Sequence, residues 1–363
     1  MPTDAPLPAD APPALASRKA DHIELCATGD VGFVAKTTLL DDVEFVHDAL
    51  PELSLDELDT SVTVLGKRLR APIFIAAMTG GTERATDINR RLAALAERRG
   101  YGFGLGSQRA MLPSVRGEAA AATYRVRDVA PTVLLLGNIG GVQAAALDTA
   151  ELQGLVNDVG ADALCVHLNP AMEVVQPEGD RDFRGVRDAL RRLVRELSVP
   201  VVAKETGCGL GPRAARRVHR AGVRWVDVSG AGGTSWVAVE TARASGERRQ
   251  LGEALRDWGV PTAASVAYCA RAGFDGVIAT GGVASGLDVA RALALGAVAC
   301  GIARPVLQAL LRGGEAEADR YLDGVEAELR AVMLLTGSRS VRRLRRAPRL
   351  VGARLQRWIS LDE

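Results

Sequence analysis

Residues 200–209 read Pro200-Val-Val-Ala-Lys204-Glu205-Thr-Gly-Cys-Gly209, a short apolar run that ends on two charges and a glycine-rich turn. A run apolar on every position is buried on both faces, which is the signature of a strand in a covered parallel sheet. The glycines that follow are where such a strand hands over to a loop. An amphipathic stretch at 212–221 comes next, then another apolar run at 225–230. Strand, loop, helix, strand is one βα unit, and the same unit recurs in both directions along the chain.

Working outward, strands are expected at 71–78, 102–107, 132–138, 163–169, 200–205, 225–230, 275–280 and 297–302. Helical patterns at 87–99, 149–159, 184–197 and 212–221 separate several of them, and Gly100, Gly160 and Gly222 stand where a helix C-cap calls for positive φ. Eight such strands fit a (β/α)8 TIM barrel better than an open doubly wound sheet. The expected organisation is a disordered leader at 1–16, an N-terminal extension at 17–70, the barrel at 71–312, and arginine-rich C-terminal closing helices at 313–363.

The 45 Lys+Arg against 44 Asp+Glu leave almost no net charge, so nothing in the charge balance argues for nucleic acid as the main partner. No uncharged apolar run approaches the roughly 20 residues of a membrane span, and no membrane partner is expected. Five scattered cysteines without a C-x-x-C pair read as reduced thiols of a cytoplasmic protein. Four scattered histidines argue against a His-based metal centre.

In a barrel, the C-terminal ends of all strands converge on one mouth. There the chain places Met78-Thr79-Gly80-Gly81, Ser107-Gln108-Arg109, Asn138, His167-Leu168-Asn169, Lys204, Gly232-Gly233-Thr234 and Gly281-Gly282. Lys204 is one of only four lysines. A buried ammonium is costly without an anion or polar cofactor beside it, and Glu205 is the nearest structural partner in sequence. The glycine turns after strands seven and eight expose bare N–H groups ahead of helix N-termini, an arrangement that cradles a phosphate.

These strings, with Arg18-Lys19-x-Asp21-His22, Gln176-Pro-Glu-Gly-Asp180 and Gly232-Gly-Thr-Ser-Trp236, resemble the flavin-dependent type 2 isopentenyl-diphosphate isomerases from about Arg18 to the C-terminus. The resemblance implies FMN in the barrel mouth, interconversion of isopentenyl and dimethylallyl diphosphate, Mg²⁺, NADPH as reductant, and a homo-oligomer (tetramer or octamer). It implies that Ala77, Met78, Thr79, Ser107, Asn138 and Lys204 line the flavin, with Lys204 toward N1/O2. Thr234, Gly282, Val283, Ala284, Ala303 and Arg304 would take its phosphate. Arg18, Lys19, His22, Ser107, Arg109, His167 and Asn169 would hold the prenyl diphosphate, Glu173 the Mg²⁺, and Glu240 and Trp236 would stand near the alkene, with Lys204 and His167 also in catalytic roles.

Two positions depart from the family. Met172 stands where an alkene-side glutamine is expected, and a thioether cannot relay a proton. Ala284 stands where an arginine follows the strand-seven glycines, and Arg304 is the candidate replacement. Alternatives are a relative recruited to a different reaction on a prenyl-like diphosphate, or an FMN hydroxyacid oxidase or dehydrogenase. The latter needs a histidine base and an arginine clamp after strand six, and the Gly230–Trp236 loop has neither.

Overall fold

The computed structural model describes residues 13–112, 115 and 118–361, without the side chains of 13–20, 118 and 119. The leader reading for 1–12 lies outside the described residues. Helix α1 (Pro13–Thr28) already includes residues 13–16, with proline tolerated in its first turn.

The eight expected strands all form and close into one parallel barrel. They are β1 (Ile73–Ile75), β2 (Gly102–Gly104), β3 (Leu134–Gly140), β4 (Ala163–Leu168), β5 (Val201–Glu205), β6 (Trp225–Asp227), β7 (Gly276–Ala279) and β8 (Ala299–Ile302). β8 pairs with β1, which abolishes sheet edges. The helices between them start and stop on local chemistry. The helix Thr149–Val159 opens on a capping box of Asp148 and Glu151 and ends on Gly160 at φ 64°. The helix Glu83–Arg99 is capped by Thr82 and ends on Gly100, also at φ 64°.

The extension is part of the barrel's packing. A hairpin of Val62–Val64 and Lys67–Leu69 turns through Leu65 and Gly66, both at positive φ as a tight two-residue turn requires. Its Val64 and Leu69 pack with Phe74, Leu134, Leu136, Val202 and Ile278, so the hairpin plugs the N-terminal end of the barrel. Phe45 and its neighbours in Val43–Phe45 pair antiparallel with Arg349–Val351. That C-terminal strand corrects the expectation that 313–363 is helical throughout. Its partner lies some three hundred residues earlier, so no local periodicity announces it. The helix Arg304–Leu335 carries non-helical backbone at Gly313 and Gly314, which sharply redirects it.

Packing inside the barrel depends on small residues opposite large ones. A methyl group on Gly102 would lie 2.1 Å from the Phe74 ring. Gly102→Ala should therefore cost about 1–3 kcal/mol by overpacking. Adding Phe74→Leu should recover part of that loss. Thermal unfolding of the single and double variants tests it, and an unchanged midpoint in the single variant would show that the ring can move aside.

Candidate functional site

The open end of the barrel holds a cavity of about 620 Å³, within the ~300–1,000 Å³ typical of small-molecule sites. Its wall includes Ala77, Met78, Thr79, Ser107, Arg109, Asn138, His167, Asn169, Met172, Glu173, Lys204, Thr234, Trp236, Gly282, Val283, Ala284, Ala303 and Arg304, with His22 from α1. Residues from all eight strand ends and the extension thus meet as the barrel geometry requires. The side chains of Arg18 and Lys19 lie outside the described residues. α1 nonetheless carries their backbone beside His22, which faces the cavity.

Strand register builds the polar layer. Gly140 is level with His167, His167 with Lys204, and Lys204 with Asp227, across four consecutive strands. Lys204 is 7 % exposed and donates to Asp227 Oδ2 at 2.6 Å. Thr280 Oγ1 lies 3.4 Å from Nζ and donates to the other Asp227 oxygen. The partner is therefore Asp227 and not Glu205. Adjacent residues on a strand point to opposite faces, so Glu205 turns away from the barrel axis. There its Oε2 accepts N–H bonds from Thr206, Gly207, Cys208 and Gly209, wrapping the loop around one carboxylate. Asp227 is the site residue that sequence reading missed, although an acid inside Trp225-Val-Asp-Val was a signal.

Asn138 is held by Gln108, whose Oε1 accepts its backbone N–H at 2.8 Å while Gln108 Nε2 donates to Leu155 O. Asn138 Nδ2 donates to Leu105 O, which aims Oδ1 at His167 Nδ1, 2.8 Å away. That fixes the neutral tautomer with Nδ1–H donating and leaves Nε2 as an acceptor. Burial, then the charges of Lys204 and Arg109, press the His167 pKa down to about 4.

Glu240 does not reach the cavity wall. It is fully buried, one layer back, accepting from His22 Nε2 at 2.8 Å and from Arg243 at 2.8 Å. Burial raises its pKa, but His22 and Arg243 outweigh burial and leave it below the ordinary value. His22 also meets Trp236 edge to face, with centroids 5.2 Å apart. The carboxylate thus sets His22 and Trp236 in place instead of facing a ligand.

At the loops after β7 and β8, Gly281 and Gly282 have φ of 96° and 75°. A side chain at Gly233 would come within 2.3 Å of Gly282 N, so these loops need bare backbone to meet. Ala284 N–H is already given to Asp288 Oδ2 and its C=O accepts from Tyr321. The N–H groups of Gly282 and Val283 take no partner among the described residues. The Arg304 guanidinium donates to Cys26 O and Gly29 O at the end of α1. It fastens the extension over the cavity with two of its five N–H groups.

On the far wall, Glu173 is buried and accepts from Asn169 Nδ2 at 2.6 Å and from Asp180 N–H at 2.7 Å. No group of three or more His, Cys, Asp or Glu side chains suited to a metal occurs among the described residues. A cation at Glu173 would draw its other oxygens from water and from a ligand, as Mg²⁺ commonly does. The glycine cradle, the cationic centre at Lys204 and the concave wall suit a phosphate-bearing planar ring such as FMN.

Residues 11–133 and 166–350 match the family model described as FMN-dependent dehydrogenase. The chain is 44 % identical over 347 residues to the isopentenyl-diphosphate delta-isomerase of Halobacterium salinarum, covering 94 % of this chain and 95 % of that protein. It is 45 % identical over 342 residues to the protein of that name from Synechococcus, covering 93 % and 97 %. A solved mandelate oxidase variant with an FMN monooxide adduct superposes with TM-score 0.61 at 20 % identity, covering 91 % of this chain and 95 % of that one, a likeness of fold. No helix is long and apolar enough to cross a membrane among the described residues.

Removing one partner of a buried ion pair leaves an uncompensated charge. Asp227→Ala should therefore destabilise the protein by about 3–5 kcal/mol. Lys204→Met combined with Asp227→Leu should lose much less. Urea unfolding of the three proteins measures this, and equal losses would show that the charges do not depend on each other.

With a folded pKa about 4, below the ordinary histidine value, His167 contributes stability that is present above about pH 6.5 and lost as pH falls toward 4. Imidazole ¹⁵N NMR should show His167 neutral at pH 6. Inorganic diphosphate should raise its pKa, because a nearby anion favours the charged ring. A His167 that titrates near 6.5 without diphosphate would contradict the geometry.

Proposed function

The chain belongs to the isopentenyl-diphosphate delta-isomerases within the FMN-dependent dehydrogenase family, and we propose how its cavity divides the work of that reaction. It is an FMN enzyme that moves the double bond of isopentenyl diphosphate to give dimethylallyl diphosphate, a step of isoprenoid biosynthesis. The observation that carries the reading is one cavity lined both by an anion-cradling glycine turn and by a separate polar wall of Arg109, His167, Asn169 and Glu173. A site for one phosphate alone would not need the second wall.

Moving the bond requires one proton on the terminal carbon and removal of one from the carbon next but one. Reduced FMN, when bound, supplies an electron-rich ring and an exchangeable proton beside the alkene. NADPH is the proposed reductant. Ala77, Met78, Thr79, Ser107 and Asn138 would line the ring, and Lys204 would offset its negative charge. Gly282, Val283, Thr234, Ala303 and Arg304 would hold the phosphate through backbone N–H groups, hydroxyl and the N-terminus of Arg304–Leu335. Ala284 would contribute only shape, since its N–H is taken.

The diphosphate would lie against Arg109, His167, Asn169, Ser107 and His22, with Arg18 and Lys19 completing the clamp. A doubly charged group beside His167 raises the affinity of Nε2 for a proton, so the ring can donate once substrate arrives. Glu173 would hold Mg²⁺, which would supply positive charge against the diphosphate. Trp236 and Met172 would enclose the hydrocarbon end, with Glu240 holding His22 and Trp236 in position. The oxidase alternative has no support at the β6 loop, where Gly232 and Gly233 occupy the cavity wall. A homo-oligomer agrees with exposed Val46, Leu50 and Leu350 beside the Val43–Phe45 sheet. A cytoplasmic location agrees with five unpaired cysteines.

The test is an anaerobic assay of reduced, FMN-loaded protein with isopentenyl diphosphate and Mg²⁺, followed by product NMR. Wild type should form dimethylallyl diphosphate. Met172→Gln should raise turnover about tenfold, below the ~10²–10⁴-fold range of full acid–base contributions because the site is not otherwise tuned to the amide. Binding without conversion in both proteins would overturn the reading. A wild-type rate unaffected by Met172→Gln would show that an amide at 172 is dispensable.

A further inference from the structure

Gln176 caps the short helix Pro170–Val175 that carries Met172 and Glu173. It is 1 % exposed and lines the same cavity. Its Oε1 is the single buried side-chain nitrogen or oxygen without a hydrogen-bond partner among the described residues. The backbone around it is firmly held. Gln176 N–H donates to Met172 O at 3.0 Å. Its C=O accepts from Arg181 Nη2 at 2.9 Å and from Arg248 Nη1 at 2.8 Å. The residue cannot easily swing away to find a partner.

A buried amide oxygen left unpaired loses its hydration with nothing to replace it. In a wall where Asn138, Asn169 and Glu173 all have partners, the empty acceptor calls for a donor that comes with the cavity's occupant. A hydrocarbon tail has no donor and would make the orphan costlier by excluding water. The groups proposed to touch FMN lie on β1–β3 and β5–β8 or the loops that follow them, not on this helix. What remains at this wall is the hydrated cation at Glu173, three residues and therefore about one helical turn away. Water bound to a divalent ion is a strong donor, and an amide oxygen suits a hard-ion environment.

We infer that Gln176 Oε1 accepts a hydrogen bond from a water bound to the divalent cation held at Glu173, making Gln176 a positioning residue of the metal site. This rests on the proposed metal role of Glu173. Both Glu173 oxygens already accept one neutral N–H, so the carboxylate is oriented from within the protein while Gln176 orients the ion's water shell. Such outer-shell partners typically alter metal affinity by about 10–100-fold.

The experiment is Mn²⁺ binding to FMN-loaded protein with inorganic diphosphate, followed by EPR of the free ion, on wild type, Glu173→Gln, Gln176→Leu and Gln176→Glu. Gln176→Leu should weaken Mn²⁺ about 10–100-fold, and Gln176→Glu, which keeps an oxygen acceptor, should retain binding. Gln176→Leu should also hold or raise the thermal midpoint of the metal-free protein, because it removes an unpaired acceptor. If Glu173→Gln leaves Mn²⁺ affinity unchanged, the metal reading of Glu173 fails, and this inference with it. If Glu173→Gln weakens binding but Gln176→Leu does not, the inference alone is overturned. A fall in the metal-free midpoint with unchanged Mn²⁺ affinity would mark Gln176 as structural and also overturn it.

Discussion

The Lys204–Asp227 pair is the constraint on which the site depends. It joins β5 to β6 at the level where the strands end, and Thr280 from the β7 side completes the Asp227 contacts. Two charges this deep are tolerable only as a pair with further hydrogen bonds, so their geometry is tightly held. The same register carries His167 beside Lys204, and the Lys204 charge helps keep His167 neutral. One ion pair thus places a cation on the cavity floor and adds to the burial that keeps the imidazole next to it neutral.

Around this floor the site is arranged as two walls with different chemistry. On one side, the loops after β6, β7 and β8 press together through glycine backbone and offer N–H groups. On the other, the loop after β4 and the helix behind it offer carboxylate, amide and imidazole groups, each oriented by a buried neighbour. α1 spans the walls, anchored by Arg304 and by Gln308 Nε2 to Ala27 O at 3.2 Å. The extension is therefore a component of the site, and His22 reaches the cavity because Glu240 and Arg243 hold it there.

The position of Glu240 shows how function can be assigned one layer too near the substrate. Its ion pairs satisfy both oxygens, and its complete burial leaves no face for a ligand. Arg304 likewise commits two of its N–H groups to carbonyls at the end of α1. In both cases the deciding fact is which hydrogen bonds are already made.

The sequence alone pointed to the barrel, because eight short, mostly apolar runs, several of them separated by helical patterns, read as strands covered on both faces. It also determined which residues gather at the mouth, because strand ends in a barrel converge whatever the intervening helices do. Gly100 and Gly160 were legible for the same local reason, a backbone conformation that other residues resist. Tertiary structure decided the pairing. Asp227 could not be matched to Lys204 without the β5–β6 register, nor Arg349–Val351 to Val43–Phe45 without bringing the chain ends together. Likewise, the unpaired oxygen of Gln176 exists only relative to everything packed around it. Periodicity is a property of neighbouring residues, while hydrogen-bond satisfaction is a property of the folded whole.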